Sequence, residues 1–87
     1  MGLDAKAKSI ETLINQILPF PYTAFLNSHS EIQIQKFYFG NTLARFDVER
    51  MKLNLFKPGF YEQAKKIKEA YEESFESKFS INFCYND

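Results

Sequence analysis

The 87-residue chain has no tryptophan, one cysteine, one histidine, three glycines, three prolines and no net charge. Each shortage removes a class of protein. Cys84, standing alone, can form neither an intramolecular disulfide nor a cysteine-based zinc site, and reads as a small, apolar or half-exposed packing residue. So few glycines and prolines leave no linker and no low-complexity tract. Eleven basic side chains against eleven acidic ones give no global field to hold a polyanion, which disfavours a protein that coats nucleic acid or a membrane surface. Apolar runs last a few residues, far short of the roughly 20 that span a bilayer, and no charged-then-apolar secretory pattern opens the chain. These features predict a soluble, cytoplasmic protein.

What is present is apolar and aromatic. Hydrophobic residues make up 45% of the chain, with ten phenylalanines and five tyrosines, too many for disorder. A 10.2 kDa chain should expose about 5,300 Å² when folded and bury roughly 64% of its extended surface. That supports one modest core, so residues 1–87 read as a single compact domain.

From Asp4, a candidate N-cap, the apolar residues Ala7, Ile10, Leu13, Ile14, Ile17 and Leu18 follow helical spacing until Pro19 and Pro21 end it. Tyr22 to Leu26 reads as a strand, and Asn27-Ser28-His29-Ser30 as a turn. Ile32 and Ile34 alternate with polar residues, as do Phe37 and Phe39, but the parity slips between Gln35 and Lys36, which a β-bulge repairs. Gly40-Asn41 is a hairpin signal that predicts Phe39 opposite Thr42, Phe37 opposite Ala44, Ile34 opposite Phe46 and Ile32 opposite Val48. A second slip, between Val48 and Met51, marks a bulge or a break into two strands near Arg50.

Pro58 suits the first turn of a second helix with the stripe Phe60, Ala64, Ile67, Tyr71, Ser74 and Phe75. Glu62 with Lys66 and Lys68 with Glu72 stand four apart on its polar face. Phe79, Ile81, Phe83 and Tyr85 then alternate with Ser80, Asn82 and Cys84 as a last strand. The order α-β-β-β-α-β predicts an α+β two-layer sandwich, with an antiparallel sheet of about four strands and two helices on one face.

Little here promises catalysis. His29 has no second strong metal ligand in sequence and no paired nucleophile beyond common turn serines. Asp47 and Glu49, placed on one face of the third run near Gln33 and Glu31, read as part of a solvated, charge-laced sheet face. Gly2, Gly40 and Gly59 lie too far apart for a phosphate loop. The chain is therefore expected to have no catalytic residues, no metal site and no cofactor.

Two features point to partners. The second helix carries Lys65, Lys66 and Lys68 in its middle and Glu69, Glu72, Glu73 and Glu76 in its C-terminal half, an acidic patch set against the helix dipole. The register that buries Phe37 and Phe39 turns Tyr38 and Leu43 to the opposite sheet face, where Tyr61 is expected to add an aromatic. The last strand also carries little charge to blunt an open edge, so self-association through a sheet face or edge is a further expectation.

With Pro21-Tyr22 after the first helix, His29 after the first strand and Ala64-Lys65-Lys66 in the second helix, the first five elements resemble the double-stranded RNA binding domain. That resemblance implies RNA contacts from His29, Lys65, Lys66 and Lys68. The chain departs from the family's pattern in lacking Gly-Pro near His29, in placing glutamates after the lysines and in adding a strand. The balance favours a small non-catalytic module that binds a protein partner, such as an inhibitor, an immunity protein or a phage anti-defence protein, with nucleic-acid binding as the alternative.

Overall fold

The computed structural model describes residues 3–27, 30–36 and 39–85, the side chains of residues 3 and 39 excepted. These residues form helix α1 (Leu3–Ile17), strands β1 (Tyr22–Leu26), β2 (Glu31–Lys36), β3 (Phe39–Asp47) and β4 (Lys52–Leu55), a 3-10 turn (Pro58–Phe60), helix α2 (Tyr61–Phe75) and strand β5 (Ser80–Phe83). The strands lie side by side in chain order, β1-β2-β3-β4-β5.

The two-layer α+β architecture stands. The sheet is nevertheless five-stranded and mixed, where four antiparallel strands were expected, for two physical reasons. First, the long third run breaks at Arg50: β3 ends at Asp47, and Met51 takes a positive φ of 53° that turns the chain back into β4. Second, α2 is a crossover, so β5 returns alongside β4 in the parallel sense, with Leu53 beside Ile81 and Leu55 beside Phe83.

Asp4 lies inside the first turn of α1 and does not cap it; a carboxylate there still suits the positive end of the helix. The β2–β3 register is shifted by two residues from the sequence expectation. Ile34 pairs with Ala44 and Ile32 with Phe46, while irregularities at Ile34/Gln35 and Gln35/Lys36 bring Lys36 opposite Phe39. An even slip preserves the face of every side chain, so Ile32, Ile34, Ala44 and Phe46 are still all buried. The expected positions of Phe37 and Tyr38 fall outside the described residues.

One core fills the space between the sheet and both helices. Ala7, Ile10 and Ile14 of α1 and Ala64, Ile67 and Tyr71 of α2 bury their stripes against Ile32, Ile34, Phe46, Leu53 and Leu55. Tyr71 anchors an aromatic group with its ring 5.9 Å from Phe46, 4.8 Å from Phe75 and 5.2 Å from Phe79. Ser74, expected in the buried stripe, is exposed. The accessible surface of 5495 Å² is close to the value of about 5,300 Å² expected for a monomeric domain of this mass.

Candidate functional site

A sheet of five strands has two edges, and this chain treats them differently. On β1, the odd-numbered positions bond to β2, so Tyr22, Ala24 and Leu26 turn their backbone groups outward. Helix α1 meets them with side chains. The Ala24 N–H donates to Asn15 Oδ1 at 2.9 Å and Asn15 Nδ2 donates to the Ala24 carbonyl at 2.8 Å, as a neighbouring strand would. The Leu26 N–H donates to Glu11 Oε2 at 2.8 Å, and the Tyr22 N–H to the Pro19 carbonyl at 3.0 Å. Asn15 and Glu11 stand four apart and so share one helix face. All three outward N–H groups of this edge are held within the chain.

The other edge is β5. Ser80 and Cys84 donate their N–H groups to the Met51 and Leu55 carbonyls of the β4 side, and a parallel ladder gives Asn82 the same role. The alternate residues Ile81 and Phe83 therefore aim N–H and C=O away from the sheet. Among the described residues, one outward carbonyl on this side is already taken, that of Phe79, which accepts from Lys68 Nζ.

Beside this edge, on the helix face of the sheet, runs a groove of about 380 Å³ between α2 and β5. Its apolar floor is Ile81, Tyr61 and Phe83, with the Tyr61 and Phe83 rings 5.6 Å apart. Phe83 is 53% exposed although it lies in register with buried Leu55. Strand alternation places it on the core side, but among the described residues no further strand and too little helix cover it. Its wall is charged. Lys65 is paired with Glu62 at 3.3 Å and sits over the Tyr61 ring, while Lys68 is paired with Glu72 at 2.6 Å and sits over the Phe79 ring. Glu69, also lining the groove, has no ion-pair partner among the described residues.

The sequence-predicted surface is thus redistributed. Tyr61, expected on the uncovered sheet face, is on the helix side in this groove, together with Glu69 and Glu72. Glu73 and Glu76 are exposed further along α2 and do not line it. Leu43 is not on the uncovered face either. The irregular pairing opposite Ile34 and Gln35 leaves it as the extra residue of a bulge, half-buried against the core beside Tyr22 and Phe60. Tyr38 lies outside the described residues, so the expected cross-strand pair with Leu43 has no described geometry.

Of the residues named for RNA, Lys65 and Lys68 are engaged in the ion pairs above, Lys66 is exposed on the helix surface, and His29 lies outside the described residues. Glu62 pairs with Lys65 and not with Lys66 as the four-residue spacing suggested.

Asp47 and Glu49 do not form a carboxylate pair on a strand face. Asp47 is 8% exposed and closes the β3–β4 turn, accepting from the Arg50 N–H at 3.0 Å and the Arg50 guanidinium at 3.1 Å, whereas Glu49 is exposed in that turn. Burial alone would raise the Asp47 carboxyl. The hydrogen bonds and charge of Arg50, with the Glu49 N–H, outweigh it and hold the group below the usual carboxylate range.

No grouping of three potential metal ligands occurs among the described residues, and none of their helices is long and apolar enough to cross a membrane. Cys84 is exposed, its thiol beside Asn82 and Asn54. No family model, curated protein or solved structure matches the chain.

Asn15, Glu11 and Phe83 were missed by sequence reasoning. The first two look like ordinary solubilising residues beside the apolar stripe of α1, and their spacing of four was the available signal. Phe83 belongs to the regular apolar alternation of the last strand; what exposes it is its place at the sheet edge, which the alternation does not encode.

Proposed function

We propose that the chain is a small non-catalytic protein-binding module whose docking surface is the open β5 edge together with the groove against α2. The observation that carries this reading is the contrast between the edges. Three outward N–H groups of β1 are satisfied within the chain by Pro19, Asn15 and Glu11, whereas the outward groups of Ile81 and Phe83 on β5 have no hydrogen-bond partner among the described residues, beside an exposed phenylalanine ring. Unpaired edges invite strand addition, and proteins normally blunt them with charge, proline or a covering element. Here the outward residues of β5 are Ile81 and Phe83, with neutral Ser80 and Asn82 between and before them.

A binding module with no assigned chemistry of its own acts by occupying a surface of its partner, which is the mode of an inhibitor, an immunity protein or a phage anti-defence protein. No specific observation favours the nucleic-acid alternative, since two of its four lysine and histidine contacts are held in ion pairs.

The test is capture from the native host's extract by the immobilised full chain, compared with Phe83→Lys and with Phe25→Lys. Phe25 is exposed on β1, at the closed side. The reading expects a partner retained by the wild type and by Phe25→Lys and lost with Phe83→Lys. Equal retention by all three proteins overturns it.

A further inference from the structure

The groove also specifies what it takes. We propose that the β5 edge accepts an extended peptide segment of the partner as a sixth strand, antiparallel to β5. This segment carries an apolar side chain against Phe83 and Tyr61 and a lysine or arginine that meets Glu69. The inference rests on the protein-binding reading above and names the chemistry of its ligand.

Four observations converge on it. The backbone groups of Ile81 and Phe83 face outward in a strand whose inner groups are paired with β4, so the occupant must offer an extended main chain of its own. The groove lies on the side to which Ile81 and Phe83 point, so every second side chain of an added strand enters it. The exposed ring of Phe83, flanked by Tyr61, calls for an apolar group there. The fourth observation is charge. Lys65 and Lys68 are paired with Glu62 and Glu72, which leaves Glu69 as the groove-wall charge without an ion-pair partner among the described residues.

For a ligand antiparallel to β5, the order of its residues follows from the direction of α2. Tyr61 packs on Phe83 and Lys68 sits over Phe79, so α2 runs antiparallel to β5, with the apolar end of the groove near Phe83 and the acidic end toward Phe79. An antiparallel ligand enters at Phe83. Its apolar residue therefore precedes its basic residue, by about two to four positions at strand rise.

A second copy of this chain fits less well. Its own β5 would present Ser80, Asn82 and Cys84 alternating with Ile81 and Phe83, and none of these answers Glu69.

Panning a random linear heptapeptide library against the immobilised full chain tests the proposal. The expected result is enrichment of sequences in which an apolar residue is followed, two or four positions later, by lysine or arginine. One such synthetic peptide should shift the amide resonances of Ile81 and Phe83. Glu69→Lys should weaken it about five-fold, as for a partly exposed ion pair, and replacing the peptide's cation by glutamate should restore binding to that variant. Peptides that bind Glu69→Lys as tightly as the wild type, or that shift resonances away from β5, overturn the ligand chemistry and leave the protein-binding reading to the Phe83→Lys capture. A dimer in sedimentation that is abolished by Phe83→Lys assigns the edge to a second copy and overturns it. Failure to enrich any sequence overturns it as well.

Discussion

The carboxamide of Asn15 is bonded to both backbone groups of Ala24, donating to its carbonyl and accepting from its N–H. A single side chain of α1 thus replaces one residue of a neighbouring strand. Two hydrogen bonds and the loss of an exposed edge follow from one residue, so Asn15→Ala should cost about 2 kcal/mol. Urea denaturation followed by circular dichroism measures this. The variant should also self-associate more at high concentration, because the β1 edge is uncovered. A change below about 0.5 kcal/mol, the usual size for a surface substitution, would show that the edge is not closed in this way.

Asp47 predicts a pH dependence. Its folded-state carboxyl is held below the usual range by Arg50, so the stabilisation it gives is present above the unfolded value and is lost as pH falls through the folded value. The Arg50 side chain is 74% exposed, which screens much of the charge term. Asp47→Asn should therefore destabilise by about 1 kcal/mol at neutral pH, and the difference from wild type should shrink below about pH 4. Denaturation midpoints at several pH values check this; a constant difference across the range contradicts it.

Glu76 ends α2 with a φ of 51° and a ψ of 40°, the left-handed conformation in which a Cβ is unfavourable. Glycine relieves that conflict and also removes an acidic charge from the negative end of the helix. Glu76→Gly should raise stability by about 1 kcal/mol, measured as a higher melting temperature. Because Glu76 does not line the groove, peptide binding should be unchanged.

The sequence made local structure readable where pattern and chain geometry agree. β1 was expected at Tyr22 to Leu26 and lies there, because Pro21 and Asn27 bracket a short apolar run. The first helix is bounded in the same way by its stripe and Pro19. The hairpin register was less readable. Gly40-Asn41 has turn chemistry, yet the irregular pairing at Gln35 and Lys36 takes β3 back to Phe39, and Leu43 moves with the bulge to the core side. The candidate site was partly readable. Tyr61, Glu69 and Glu72 were singled out and do meet in one groove, but what joins them is β5, whose parallel placement depends on the α2 crossover. The closure of β1 depends on contacts between residues 9 and 15 positions apart, which no local pattern announces.

The central claim is that one edge of the sheet is closed by α1 and the other is left open for a partner, and amide hydrogen exchange of the free chain at low concentration tests it most directly. The account predicts slow exchange at Ala24 and Leu26, whose N–H groups are held by Asn15 and Glu11. It predicts slow exchange at Asn82 and Cys84, which face β4, and fast exchange at Ile81 and Phe83 between them. Protection of Ile81 and Phe83 equal to that of their neighbours, or fast exchange at Ala24 and Leu26, would contradict it.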